Sequence, residues 1–189
     1  MALPEGVRLA DLTRDSREQL EGAACLLRNS FSDWNGAWQD PESARETVQE
    51  SLGAGRISRV AIHPADGVIG WIAAIPSYGG VVWELHPLAV AASYRRRGLG
   101  RALVEDLERL VKQRGGLTLW LGSDDELGET SVGGVDVYAD ISGAIRNFRK
   151  LRGGHPADFY FRLGFRIVGL MPDANGPGKP DIFFAKRLT

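Results

Sequence analysis

The chain of 189 residues has one cysteine, three histidines and two methionines. A single cysteine, Cys25, excludes an internal disulfide framework. Its place in an apolar helical pattern reads as core filling. So few thiol and imidazole ligands, scattered along the sequence, give no expectation of a metal site. No run of about 18 apolar residues is present, so nothing is expected to span a membrane. The first residues, Met1-Ala2-Leu3-Pro4-Glu5-Gly6, lack a charged and then apolar leader, so a cytoplasmic location is expected. Net charge is also lacking: 23 Lys and Arg against 24 Asp and Glu give a formal charge of −1. That balance argues against a nucleic-acid binder, whose surface is strongly basic. There is no Gly-x-Ser-x-Gly elbow, no internal repeat and no obvious linker. What remains is an ordinary globular composition, 43% hydrophobic and 25% charged, read as one domain over residues 1–189.

Against that plain background one stretch stands out, Leu88-Ala89-Val90-Ala91-Ala92-Ser93-Tyr94-Arg95-Arg96-Arg97-Gly98-Leu99-Gly100-Arg101. It leaves an apolar strand (Val81 to Val90), passes through three arginines and two glycines, and enters an amphipathic helix with Leu99, Leu103, Leu107, Leu110 and Val111 on one stripe. The first N–H groups of a helix lack intrahelical partners and carry partial positive charge, and glycine lets a ligand come close to them. The unit is therefore a receptor for a phosphate or pyrophosphate. No Gly-Lys-Ser/Thr follows, so it is not a P-loop, and Leu103 stands where a dinucleotide fingerprint needs a third glycine.

Periodicity predicts a strand over Val7 to Leu12, then a helix from an Asp15/Glu18 cap to about Phe31. An aromatic loop with Trp34 and Trp38 follows, and then a helix opened by Asp40-Pro41. Ile57–His63 and Val68–Ile75 form a hairpin around Ala65-Asp66-Gly67. Later strands are expected at Leu117–Leu121, Phe165–Leu170 and Asp181–Arg187, with short helices over Ala144–Leu151 and Ala157–Leu163. Strict alternation along the fourth strand puts Glu84, His86, Leu88 and Val90 on one face.

Arg95-Arg96-Arg97-Gly98-Leu99-Gly100 resembles the Q/R-x-x-G-x-G/A motif of the GNAT acetyltransferases, and the order of elements is similar to theirs. The resemblance implies a single-domain α/β (α+β) GNAT fold, with a mixed central sheet splayed between strands 4 and 5 and helices on both faces. It also implies acetyl-coenzyme A as cosubstrate, held by Leu88, Ala89 and Val90 on the strand and by Arg95, Arg96, Arg97, Gly98, Leu99, Gly100 and Arg101 beyond it. Phe159-Tyr160-Phe161-Arg162-Leu163-Gly164-Phe165 looks like the segment that closes the coenzyme site in that family, which implies Tyr160 as the acid that protonates the departing thiolate. His155-Pro156 upstream departs from the common pattern.

Acetyl transfer to an amine needs a base, because an ammonium has no lone pair and its pKa is about 10.4. Glu84, first on charge grounds, and His86 are the candidates, acting directly or through water. Glu84 could also anchor a cationic acceptor.

Between Arg114 and Arg146 there is no Lys or Arg, while Asp124, Asp125, Glu126, Glu129, Asp136 and Asp140 all fall there. The GNAT resemblance implies that this segment follows the fifth strand at the lip that receives the acceptor, and acid there with arginine at the coenzyme loop suits a polycationic acceptor. From about Val81 onwards the chain resembles aminoglycoside 6'-N-acetyltransferases, most closely over Ile167 to Ile182. This implies a polycationic aminosugar as acceptor, bound by Asp124, Asp136 and Glu84 and walled by Trp34 and Trp38, with Asp173 and Asp181 shaping the tail loop. A homodimer is implied only by analogy.

Overall fold

A computed structural model describes residues 3–31 and 38–189; Trp34 lies outside the described residues. The chain gathers into two compact units, Met1–Leu117 and Thr118–Thr189. The α/β class expected from the sequence is the one found.

The first unit contains β1 (Arg8–Asp11), α1 (Arg17–Ser30), α2 (Pro41–Glu50), β2 (Ile57–His63), β3 (Gly67–Ser77), β4 (Val82–Val90) and α3 (Leu99–Gln113). Its strands pair in chain order, each antiparallel to the next. Helix α2 starts as the sequence implies: the Asp40 side chain accepts the Ser43 N–H at 3.0 Å, with Pro41 at the first helical position. Helix α1 does not. The Ser16 N–H closes a turn on the Thr13 carbonyl (3.4 Å), Asp15 is spent inside that turn, and Ser16 becomes the N-cap without a side-chain bond.

Helices cover both faces of this four-stranded sheet. On one face α1 and α2 bury Ala23, Ala24, Leu27, Ala44 and Val48 against Val60, Trp71, Ala73 and Ala89. On the other, α3 buries Leu99, Leu103, Leu107 and Val111, each worth roughly 1.5–3 kcal/mol of transfer free energy. Gly70 makes that approach possible, since a Cβ there would lie 2.9 Å from Leu103 Cδ1 and 3.2 Å from Ala61 Cβ. Arg59 braces the same helix, with Nε on Asp106 and Nη1 on Asp11, both at 2.7 Å.

The second unit contains β5 (Thr118–Asp124), α4 (Ile141–Arg146), α5 (Ala157–Arg162), β6 (Arg166–Met171) and β7 (Asp181–Arg187). β7 runs antiparallel between β5 and β6. Leu119, Leu121, Phe165, Ile182 and Phe184 form its buried centre. Leu117, expected to open the fifth strand, precedes it and is 58% exposed. The helix expected over Ala144–Leu151 begins earlier and ends at Arg146. The Asp140 side chain caps it by accepting the Gly143 N–H at 2.8 Å, and that local bond decides the start. Among the described residues no helix is long and apolar enough to cross a membrane.

Candidate active site

The basic loop of the first unit is a shaped turn. After β4 the Tyr94 N–H bonds the Ala91 carbonyl (2.8 Å), closing a 3-10 turn over Ala92–Tyr94. Arg95 turns back, its Nε donating to the Val90 carbonyl at 3.0 Å. Arg96 has φ +59° and Gly98 φ +88°, two left-handed residues that reverse the chain into α3. Gly98 is the N-cap and supplies no capping side chain. The first intrahelical bond runs from the Ala102 N–H to the Gly98 carbonyl, so the N–H groups of Leu99 and Gly100 have no acceptor within the helix. Arg95, Arg96 and Arg97 are exposed around this end, while Leu99 is fully buried and fixes it. Positive side chains, the N–H groups of Leu99 and Gly100 and the helix dipole converge at one helix end, which is what an anionic diphosphate needs. Arg101 instead leans on Glu105 at 3.4 Å.

The fourth strand departs from strict alternation. Its register against β3 runs Ile72↔Leu88 and then Ala74↔Leu85, three residues of β4 against two of β3. The extra residue is a bulge at His86-Pro87, and it inverts the side-chain parity. Glu84 pairs with Ile75, and Ala89 with Trp71. They share the face covered by α1 and α2. Leu88 and Val90 pair with Ile72 and Gly70 and point to the α3 face, as Leu85 does. The expectation that Glu84, His86, Leu88 and Val90 lie on one face is therefore corrected. The polar residues stay together because the bulge carries His86 towards the Glu84 side: its ring meets that of Trp38 at 5.6 Å, tilted 49°.

Trp38 is itself held. Its ring packs edge-on to Phe31 (4.9 Å), and its Nε1–H donates to Thr47 Oγ1 at 3.0 Å. The Thr47 hydroxyl in turn donates to the Ser43 carbonyl at 3.0 Å. Thr47 had no signal in the sequence beyond its place in a helix. Glu84 is half-buried and His86 exposed, so both keep access to solvent and to an acceptor.

In the second unit the acidic segment is an ordered loop that consumes much of its own charge. Asp125, 2% exposed, accepts from the Glu129 N–H (2.7 Å), the Thr130 N–H (3.0 Å) and the Thr130 hydroxyl (2.7 Å). Glu129 accepts the Gly154 N–H at 2.8 Å. Asp136 accepts the Tyr138 N–H at 3.0 Å and remains exposed. Asp124 is half-buried and accepts from the Asn175 amide. The tail loop is laced to this segment by the Gly134 N–H on the Gly178 carbonyl (2.7 Å) and the Asp125 N–H on the Pro180 carbonyl (3.0 Å). Asp173 shapes that tail as expected, accepting the Gly178 N–H at 2.7 Å.

Tyr160 lies on α5, 7% exposed, with Phe159, Phe165 and Phe184 around its ring. Burial pushes its hydroxyl well above the usual tyrosine range, so it keeps its proton across all working pH. His155, also buried, opens α5: its Nδ1 accepts the Ala157 N–H at 3.2 Å, and Nε2 lies 3.5 Å from the Ser123 hydroxyl. With Nδ1 as acceptor the proton sits on Nε2, and burial lowers the pKa, keeping the ring neutral.

Residues 24–133 match the family model described as the acetyltransferase (GNAT) family. No curated protein matches the sequence. Among solved structures, an aminoglycoside 6'-N-acetyltransferase complexed with coenzyme A is 37% identical, over 96% of this chain and 97% of that one, with a TM-score of 0.87. The aminoglycoside 6'-N-acetyltransferase from Enterococcus faecium is also 37% identical over the same shares, with a TM-score of 0.86. An aminoglycoside 6'-acetyltransferase type Ii is 34% identical, again over 96% and 97%, with a TM-score of 0.73.

Proposed function

Because the chain belongs to the acetyltransferase (GNAT) family, we propose that it transfers the acetyl group of acetyl-coenzyme A to the 6'-amine of an aminoglycoside, by direct attack within a ternary complex. Residues 1–189 act as one catalytic domain. The observation that carries the proposal is the β4–α3 turn, with three exposed arginines leading into the N-terminus of α3 at Gly98, in a chain 37% identical to an enzyme solved with coenzyme A.

The donor set fits a coenzyme diphosphate. Arg96, Arg97 and the N–H groups of Gly98, Leu99, Gly100 and Arg101 hold it, Arg95 supports the loop from behind, and the backbone of Leu88, Ala89 and Val90 lines the pantetheine. Coenzyme A supplies an activated acyl group, and the chain supplies the proton traffic. Glu84 or His86 takes a proton from the acceptor ammonium, directly or through water, and frees the lone pair. The amine nitrogen forms the new bond to the acyl carbon, the carbon–sulfur bond breaks, Tyr160 gives its proton to the sulfur, and the second proton that the nitrogen sheds on becoming an amide returns through water to the Tyr160 oxygen, whose raised pKa keeps it protonated. Trp38 walls the sugar and Glu84 meets one of its other ammonium groups; Asp124 and Asp136 are the further carboxylates assigned to the acceptor. Support for a polycationic acceptor comes from the acids of the loop, whose charge is only partly spent on backbone donors.

The test is release of free thiol from acetyl-coenzyme A with kanamycin, a polyamine, an N-terminal peptide and lysine as rival acceptors. Kanamycin should be favoured by kcat/KM. Preference for another amine would make this a GNAT enzyme of different substrate. Coenzyme binding without turnover on any amine would make it a sensor.

A further inference from the structure

We infer that Asp66 and Tyr94 form a positioning pair that holds the basic loop in its receptor shape, so that the β2–β3 turn sets affinity for the coenzyme. This rests on the proposal that the loop receives coenzyme A. The loop carries two left-handed residues, Arg96 and Gly98, and three exposed arginines, Arg95, Arg96 and Arg97. Its arginines give it little inward packing. Tyr94, immediately before them, is the exception: the residue is only 9% exposed.

The hydroxyl of Tyr94 donates to the Asp66 carboxylate, 28 residues earlier in the turn between β2 and β3. That bond and the nearby negative charge raise the Tyr94 pKa, so the hydroxyl remains a donor. His63, at the end of β2, packs against the ring at 5.7 Å, and its own Nδ1 accepts the Ala65 N–H at 3.3 Å. The outward face of the ring carries Arg97, whose guanidinium carbon lies 5.6 Å from the ring centroid. Asp66 therefore fixes the hydroxyl, His63 fixes the ring, and the ring presents Arg97. An arginine already placed loses less freedom when an anion arrives, and the gain appears as affinity. Asp66 and Tyr94 act through the loop and touch no reacting atom.

The test uses the full chain with Asp66→Ala, Asp66→Asn, Tyr94→Phe and the Asp66→Ala/Tyr94→Phe double variant. Two quantities are read: the KM for acetyl-coenzyme A against kcat, and the rate at which trypsin cuts the ligand-free protein after Arg95–Arg97 relative to its other sites. Asp66→Ala and Tyr94→Phe should each raise KM about five- to tenfold with kcat within about twofold, and should speed loop cleavage by a similar factor. The double variant should be no worse than either single one, and Asp66→Asn, which keeps an acceptor, should recover most of the affinity. Additive effects in the double variant, wild-type cleavage in both single variants, or faster cleavage with unchanged KM would each overturn the inference. A wild-type protein that binds no coenzyme A, yet whose loop is loosened by both variants, would remove the coenzyme reading and leave the pair standing as a loop lock.

Discussion

The ring of Trp38 lies 5.6 Å from that of His86, so the indole anchored by α2 and the imidazole at the β4 bulge share one surface with Glu84. A wall and a proton acceptor in contact suit a site where a sugar amine must be both held and deprotonated.

The indole is placed through one hydroxyl. Thr47→Val keeps the volume and removes the acceptor of the Trp38 N–H, at a cost of about 1 kcal/mol. The KM for the aminoglycoside should rise about fivefold, while the KM for acetyl-coenzyme A stays put. Steady-state kinetics with each substrate varied in turn checks this; an equal rise in both would point to general loosening.

Glu84→Gln and His86→Ala separate the two candidate bases. The variant that removes the base should lower kcat by about 100-fold or more and abolish the acidic limb of the pH–rate profile. The other should change acceptor KM more than kcat. Matching mild losses in both would leave neither as the base.

Tyr160→Phe should lower kcat by at least about tenfold with little change in coenzyme affinity. It has a second signature. Burial raises the Tyr160 pKa in the folded chain, so above about pH 10 the unfolded chain ionises this hydroxyl while the folded chain does not. Stability linked to this group is full below that pH and falls as pH rises. Urea midpoints measured at pH 9 and pH 11 should fall further in the wild type than in Tyr160→Phe.

His155 works in the opposite direction. Its folded pKa is lowered by burial, so its contribution is full above about pH 6.5 and is lost as pH falls below that value. His155→Asn, which keeps a cap acceptor for the Ala157 N–H, should flatten the acid side of the stability curve. An unchanged thermal midpoint difference between pH 7.5 and pH 5.5 would contradict the neutral assignment.

Asp125→Ala strands two backbone N–H groups and a hydroxyl in a buried loop. It should cost about 2–4 kcal/mol in denaturant unfolding and loosen the acidic segment, visible as faster exchange at the Glu129 and Thr130 amides.

What the sequence made legible was local. The Asp40-Pro41 helix start, the hairpin around Asp66 and the arginine–glycine helix entry each depend on neighbours a few residues apart, and each is found in place. The bulge at His86-Pro87 was not legible, because an inserted residue leaves the apolar alternation of β4 intact while inverting which side chains share a face. The carboxylates of 124–140 looked alike as letters. Only folding divides Asp125, buried under three donors, from Asp136, exposed with one. Thr47 beneath Trp38 and Asp66 beneath Tyr94 were missed for the same reason: their partners are set by tertiary packing.

The most direct measurement is product analysis. The protein is incubated with acetyl-coenzyme A and kanamycin, and the product is examined by mass spectrometry and NMR. One acetyl group on the 6' nitrogen, formed in step with one free thiol, is the expected result. Unmodified kanamycin at saturating concentrations of both compounds, or an acetyl group on a different nitrogen, would contradict it.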